Sequence, residues 1–423
     1  MKKMLLSMAA LPLMVGGLSV SASADGINIL DNMKLKGEIR PRYENVDDGT
    51  TNANANAYTA RTKLSVTGDL LDVDGLSATV GVISVNNFGS HEYNWDNSGQ
   101  YTDGSNPYAK VVDPQKAMMS NAEINYTANN TTLHAGRGQV NLDNQRFIGT
   151  VGWRQLERSY DSVFVANNSI ENLSVLAAWV YGFQGVGAGD TTDTNTVLLH
   201  AAYTVMPELK VTAYDYMIAN FADTYGIALT GKLNLSGAKL NYRAEYASQN
   251  DASMDIHTQT PTTGKADADY YNLDLGANIN GILAGVNYEF LSGSTGTDGK
   301  TNFNPKLGTN HKFNGWADKF FVGNNGPLGG LKDFNVRLGY TAKGFGKLLA
   351  VYHDFTADEA MAAGTGTSDD LGSEFDAVYV NKIPGVNNLK GLLKYANYSG
   401  GTVTNYTNDV QKIWVGLDYK FAF

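Results

Sequence analysis

Eighteen stretches of this chain alternate apolar and polar residues with a period of two, and the connections between them alternate short with long. The runs fall near 33–45, 57–70, 76–88, 117–128, 131–138, 157–167, 172–183, 195–205, 209–218, 224–233, 237–247, 268–280, 282–292, 333–342, 346–355, 372–381, 389–398 and 410–423. A period of two puts every second side chain on one face of an extended strand, so each run carries one apolar and one polar face. Short turns fall at 71–75, 129–130, 168–171, 206–208, 234–236, 280–281 and 343–345, with a slightly longer one at 382–388. Long connections lie near 46–56, 89–116, 139–156, 184–194, 248–267, 293–332, 356–371 and 399–409; the one at 219–223 is the short exception. A soluble sandwich has no reason to alternate its loop lengths. Bacterial outer-membrane barrels do so, with short turns in the periplasm and long loops outside.

The final run shows the pattern most clearly. Ile413, Val415, Leu417, Tyr419, Phe421 and Phe423 alternate with Lys412, Trp414, Gly416, Asp418, Lys420 and Ala422. Its length suits the roughly 9 to 11 residues of a bilayer-spanning strand, and its aromatics suit the interface. In the first run, Leu35, Gly37, Ile39, Pro41 and Tyr43 oppose Lys34, Lys36, Glu38, Arg40 and Arg42. On a soluble sandwich so charged a face would simply meet water; in a barrel it must look into the lumen, because Arg or Lys facing lipid at the midplane costs about 2–4 kcal/mol, and this strand alone does not decide between them. Later runs repeat the division, as in Leu240, Tyr242, Ala244 and Tyr246 against Lys239, Asn241, Arg243 and Glu245. The expectation is an all-β transmembrane antiparallel up-and-down β-barrel of eighteen strands, sixteen being the alternative count, with both termini periplasmic.

Composition narrows the setting. With no Cys, disulfide scaffolds, thiolate metal sites and cysteine nucleophiles are excluded. Lys2 and Lys3, the apolar Met4 to Val20 and the small Ala22-Ser23-Ala24 have the three-part form of a secretory signal. Pro12, Gly16 and Gly17 interrupt the apolar stretch, so it is too short for a spanning helix. The predicted organisation is a signal peptide at 1–24 and one barrel domain at 25–423, exported to the outer membrane of a Gram-negative bacterium, with membrane lipid and lipopolysaccharide as its surroundings. The formal charge is −10, and −12 once Lys2 and Lys3 leave with the leader. So acidic an exported chain is a poor nucleic-acid binder.

Seven of nine arginines, Arg40, Arg42, Arg61, Arg137, Arg146, Arg154 and Arg158, precede residue 160. Arg40, Arg42 and Arg61 have lumen-facing parity. The others surround the loop QVNLDNQRFIGTVGWRQ, which also carries Phe147, Ile148 and Trp153. A loop with such apolar residues is expected to fold inward and narrow the pore. Its arginines should then face Glu38, Glu123, Asp143, Glu157 and Asp161, rings of charge being usual filter chemistry. The candidate pore-lining set is therefore Arg40, Arg42, Arg61, Arg137, Asp143, Arg146, Arg154, Arg158 and Asp161. Nothing points to an enzyme, a metal or a cofactor. The six histidines, His91, His134, His200, His257, His311 and His353, have no paired spacing, Gly185 to Gly189 lacks the lysine of a phosphate loop, and no Ser/His/Asp arrangement stands out.

The stretch 135–165, AGRGQVNLDNQRFIGTVGWRQLERSYDSVFV, resembles the signature of the alginate-export porin family. So does 307–333, LGTNHKFNGWADKFFVGNNGPLGGLKD, and the GEIRPRYE opening, the GSEFD at 372–376 and the closing DVQKIWVGLDYKFAF fit the same pattern. The resemblance implies a monomeric 18-stranded outer-membrane barrel with a basic lumen that conducts anionic material, alginate in the best-known members. Arg137, Arg146, Arg154 and Arg158 would be its basic lining, with Asp143 and Asp161 as counterparts. Two functions of different kinds are thus in view. One is a channel for passive diffusion of small hydrophilic solutes, anion-biased or exporting an alginate-like polyuronate. The other is a surface structural or adhesive barrel. Loop 293–332, with Phe303, Phe313, Trp316, Phe320 and Phe321, is expected to pack into the barrel mouth in a channel and to display these residues in an adhesin.

Overall fold

The computed structural model describes residues 23–24, 27–95, 106–187, 190–256, 264–321 and 326–423. Residues 1–22 of the expected leader, His257, and Ala188 and Gly189 of the glycine-rich run lie outside them. Among the described residues eighteen antiparallel strands close into one barrel. They are β1 Leu30–Asp47, β2 Ala55–Leu70, β3 Leu76–Asn86, β4 Lys116–Ala128, β5 Thr131–Gly138, β6 Ser159–Asn167, β7 Leu173–Gln184, β8 Thr192–Met206 and β9 Leu209–Ile218, followed by β10 Ala222–Leu235, β11 Ala238–Asn250, β12 Lys265–Ile279, β13 Ile282–Leu291, β14 Leu331–Ala342, β15 Gly346–Ala362, β16 Thr367–Lys382, β17 Leu389–Ser399 and β18 Val410–Ala422. Each pairs with its neighbour in sequence, and β18 closes the ring on β1 with Val415 opposite Tyr43. Backbone hydrogen bonds between Leu35 and Phe423, 2.8 and 2.9 Å long, extend that seam to the last residue.

The eighteen runs read from the sequence coincide with these strands within a few residues at the turn side. The larger departures are at the loop side, where β15 and β16 continue well past 355 and begin before 372 as an extended hairpin. The turns carry the residues their backbones require. Asn129 and Asn130, and Asn280 and Gly281, all have positive φ, as a two-residue hairpin turn of the primed type demands. The short connection 219–221 is retained, with Asn220 also at positive φ.

The faces divide as the alternation predicts. On β14, Phe334, Val336, Leu338 and Tyr340 are exposed on the outer wall, while Asp333 and Asn335 are buried inside. On β18, Trp414 and Lys412 are buried inward and Val415 and Leu417 are exposed outward. The interior is filled on the loop side by loop 139–158 and the described part of loop 292–330, whose Phe147, Ile148, Phe303, Leu307, Phe320 and Phe321 join a cluster with the wall residues Tyr214, Tyr270 and Tyr398. No helix among the described residues is long and apolar enough to cross a membrane; the crossing elements are strands.

Leu338, 65% exposed on the outer wall, tests the assignment of faces. In lipid vesicles Leu338→Arg is expected to lower unfolding stability by about 2–4 kcal/mol, whereas Asn278→Arg on the lumen wall costs well under half of that. Equal costs in a urea titration followed by tryptophan emission would contradict the division of faces.

Candidate pore constriction

Loop 139–158 enters the lumen between β5 and β6 and is tied to the opposite wall by charge. Arg40, on β1, donates through Nη1 to the Gly152 carbonyl at 3.0 Å and through Nε to Gln155 Oε1 at 3.1 Å. Arg42 donates to the Trp153 carbonyl at 2.7 Å and pairs with Asp113, which also accepts the Gln155 N–H at 2.8 Å. Arg61 lies between Glu38 at 3.2 Å and Glu157 at 3.1 Å, and Glu157 pairs with Lys63 as well. The loop answers with Arg154, which reaches Glu44 on β1 at 3.0 Å and Asp318 of the second loop at 2.9 Å. Asp318 in turn binds Lys412 of β18 at 3.0 Å. Fixed guanidinium forks suit this work, since a planar donor set can satisfy several acceptors at once.

Arg146 ties the far side of the loop. It is 0% exposed. Its guanidinium lies 2.9 Å from Glu289 on β13 and donates to Asn314 at 2.9 Å, with Phe313 at 4.7 Å across its face. Asn314 donates to the same Glu289 at 2.6 Å, and Tyr270 donates to it at 2.8 Å. Loop 139–158, loop 292–330 and the wall therefore share one buried network. Asp143, at the loop tip, contacts His200 on β8 at 3.0 Å. Arg158 donates to the Gly149 carbonyl at 3.1 Å and to that of Leu307.

A second knot joins the two loops to β17 and β18. Lys394 Nζ lies 4.1 Å from the Trp153 ring centre, 4.0 Å from Trp316 and 5.1 Å from Trp414, inside an aromatic cage. It donates to His311 Nε2 at 2.6 Å, which leaves Nδ1 as the protonated nitrogen, 2.6 Å from Asp318. His311 stacks on Trp153 at 4.9 Å. The knot itself lines an open recess of about 500 Å³, with Trp153, His311, Trp316 and Lys394 joined there by Gln145, Thr150, Thr309, Lys312, Val378 and Leu392.

The structure thus brings Arg40, Arg42, Arg61, Arg146, Arg154, Arg158 and Asp143 to one partition, with Glu38 and Glu157 among their partners as expected. Most are buried and held by carboxylates or carbonyls, so they fasten the partition instead of offering free cations to a passing solute. Arg137 and Asp161 are corrected outright. They pair with each other at 2.6 Å on the outward parity of β5 and β6, shared with Leu133, 50% exposed, and Val163, 46% exposed. Period two from Leu133 carries Arg137 outward, and Tyr160 and Ser162, both buried, hold the inward positions beside Asp161. Glu123 meets His134 at 3.6 Å, and no ion pair joins it to an arginine among the described residues. Sequence reasoning missed Glu44, Asp113, Glu289, Asp318, Lys394 and Lys412. Lumen-facing charge on the wall strands was the available signal for Glu44, Glu289, Lys394 and Lys412; Asp113 and Asp318 had no such mark.

Compared in sequence, the chain matches no family model and no curated protein. Its fold is nevertheless that of solved barrels. Acinetobacter baumannii OccAB4 superposes with a TM-score of 0.69 at 14% identity, covering 93% of this chain and 99% of that one. OccAB2 of the same organism gives 0.69 at 13% identity, with coverage of 93% and 99%. Pseudomonas aeruginosa OccK8 (OprE) gives 0.68 at 13%, with 93% and 98%. These neighbours are 18-stranded outer-membrane porins, and at such identities the likeness is one of fold.

The loop carboxylates set the pH response. Burial pushes Asp318 up, but His311, Lys412 and Arg154 outweigh it and hold it well below the usual range. Asp113 and Glu157 are likewise raised by burial and lowered further by their cations, Arg42 with Arg154 and Arg61 with Lys63. Burial depresses His311 to about 3, so its ring is neutral. All four have folded pKa values below their unfolded ones, so their contribution is complete above the unfolded values and lost as pH falls through the folded ones. Loop protection from protease is therefore expected to be unchanged from pH 8 down to about 6.5, to weaken as the unfolded-state histidine gains its proton, and to be lost below the ordinary carboxylate range. Arg146→Ala, which leaves Glu289 buried without its cation, is expected to cost about 3–5 kcal/mol and expose 139–158 to protease. Arg137→Ala on the outer wall should leave cleavage of that loop unchanged, and equal cleavage in the two variants would contradict the assignment.

Proposed function

We propose that this chain is an outer-membrane diffusion channel for small hydrophilic solutes, inserted with its turns in the periplasm and its long loops outside. The observation that carries the reading is the partition itself. Two loops fold into a closed barrel, fastened by buried ion pairs, and leave a recess lined by both indole and polar groups. The likeness in fold to outer-membrane porins supports it. So does the burial of Phe303, Phe320 and Phe321, residues that an adhesive barrel would display. The partition favours small solutes over a polymer. Export of an alginate-like chain calls for a continuous basic lane, and here Arg146 and Arg154 are enclosed by Glu289, Glu44, Asp113 and Asp318, while Arg137 faces outward. On the same grounds the arginines give the constriction little net anion bias.

The refolded chain in a planar bilayer is expected to give small, stable conductance steps, with a zero-current potential near zero in a potassium chloride gradient. Arg154→Ala, which cuts the link from Glu44 through the loop to Asp318, should enlarge the steps severalfold and admit larger sugars in liposome swelling. A folded barrel with neither conductance nor swelling would turn the reading toward a surface structural protein. A strong anion preference abolished by Arg154→Ala would restore the basic-filter reading.

A further inference from the structure

The turn-side half of the lumen carries charge that the constriction does not use. Five consecutive strands around the seam, β15, β16, β17, β18 and β1, each place a lysine on the lumen face near the turns: Lys347, Lys382, Lys390, Lys420 and Lys36, with Lys34 beside the last. Their inward parity follows from buried neighbours on the same strands, Val351 and His353 for Lys347, Asp376 for Lys382, Lys394 and Ala396 for Lys390, Trp414 for Lys420, and Arg42 for Lys36. At about 4.8 Å between strands the arc spans roughly 19 Å of wall.

Two observations mark the arc as more than a solvated rim. Lys382 and Lys390 stand directly opposite one another in the β16–β17 ladder, and directly opposed like charges destabilise a sheet. Lys36, Lys347, Lys382 and Lys390 form no ion pair among the described residues; Lys420 pairs at longer range with Asp418 at 3.6 Å and Glu38 at 3.8 Å, and Asp418 stands opposite Lys390 in the ladder. Glu38 is also engaged by Arg61. Independently, a recess of about 520 Å³ opens at this seam, its lining holding Lys36, Lys63, Lys390 and Lys420 against the single carboxylate Glu38. A wall on which these lysines outnumber the neighbouring carboxylates, Glu38 and Asp418, fits a ligand that brings several negative charges at once.

We infer that the turn-side mouth of the barrel is a binding collar for a compact multivalent anion, of the polyphosphate or polycarboxylate class. A halide meets one lysine at a time. A multivalent anion bridges two or three on adjacent strands, so its second and third contacts form at high effective concentration. The site requires the closed barrel and not conduction, so it stands or falls apart from the channel reading.

The test is isothermal titration of sodium tripolyphosphate into the full folded chain in uncharged detergent at pH 7 and low salt. One saturable site per chain is expected, weakening steeply with added salt because the contacts are charged and hydrated. The double variant Lys382→Gln, Lys390→Gln should lose at least tenfold in affinity, and Lys382→Arg, Lys390→Arg should retain it. Lys265→Gln with Lys300→Gln, on the loop side, should bind as the parent does. Without anion the Gln pair should melt at the parental temperature or above, since it removes an opposed like-charge pair, and tripolyphosphate should raise the melting temperature of the parent alone. No saturable binding by the parent, or parental affinity in the Gln pair, overturns the collar.

Discussion

A backbone amide in hydrocarbon has no water to bond, and each one left unpaired costs several kcal/mol. For a chain built of strands, a closed ring is the arrangement that satisfies them all. The remaining architecture follows from that ring. Closure forces the alternation of side chains, because one face of every strand meets lipid and the other meets the lumen. It also forces the loops inward or outward at the rim, since they cannot enter the lipid. The outer wall is consequently plain, with Val336, Leu338 and Leu417 exposed, and individuality is confined to the lumen.

In that lumen charge takes over the task that apolar packing performs in a soluble core. Ile148, Phe303 and Phe320 do pack together, but the loops are positioned by guanidinium groups held between carboxylates of the wall and carbonyls of the loop. A buried pair of this kind contributes little net stability, yet breaking one member is costly. The arrangement is therefore suited to fixing one loop geometry more than to adding stability. The Lys394 cage extends the principle, because its three indoles come from a loop, a second loop and the wall, and withdrawal of either loop would remove one wall of the cage.

The barrel was legible because its cause is local. Period two, turn residues such as Asn280-Gly281, and the spacing of long and short connections are all written within a few residues of one another. The inward fold of 139–158 was legible for the same reason, since Phe147, Ile148 and Trp153 are too apolar for a free loop. Partner identities were not. Arg146 lies 143 residues from Glu289 and Arg154 lies 164 from Asp318, and nothing in either segment names the other. Arg137 and Asp161 mislead for a different reason: their association with neighbouring arginines outweighs the parity of their own strands, which points outward. The lysines after residue 160 escape a reading built on arginine, although their lumen-facing positions follow from the same period.

The seam between β1 and β18 has a kinetic meaning. Tyr43 finds its place beside Val415, so the two strands that complete the ring are those most distant along the chain, and every partial sheet before that event carries two bare edges. Non-local pairing of this kind is slow, and bare edges invite pairing with foreign strands. Each hairpin can form early from its own turn, but commitment to the native shape waits on one late encounter. The chain is thus at its most vulnerable when nearly finished, and whatever shelters its open edges until that encounter decides its yield.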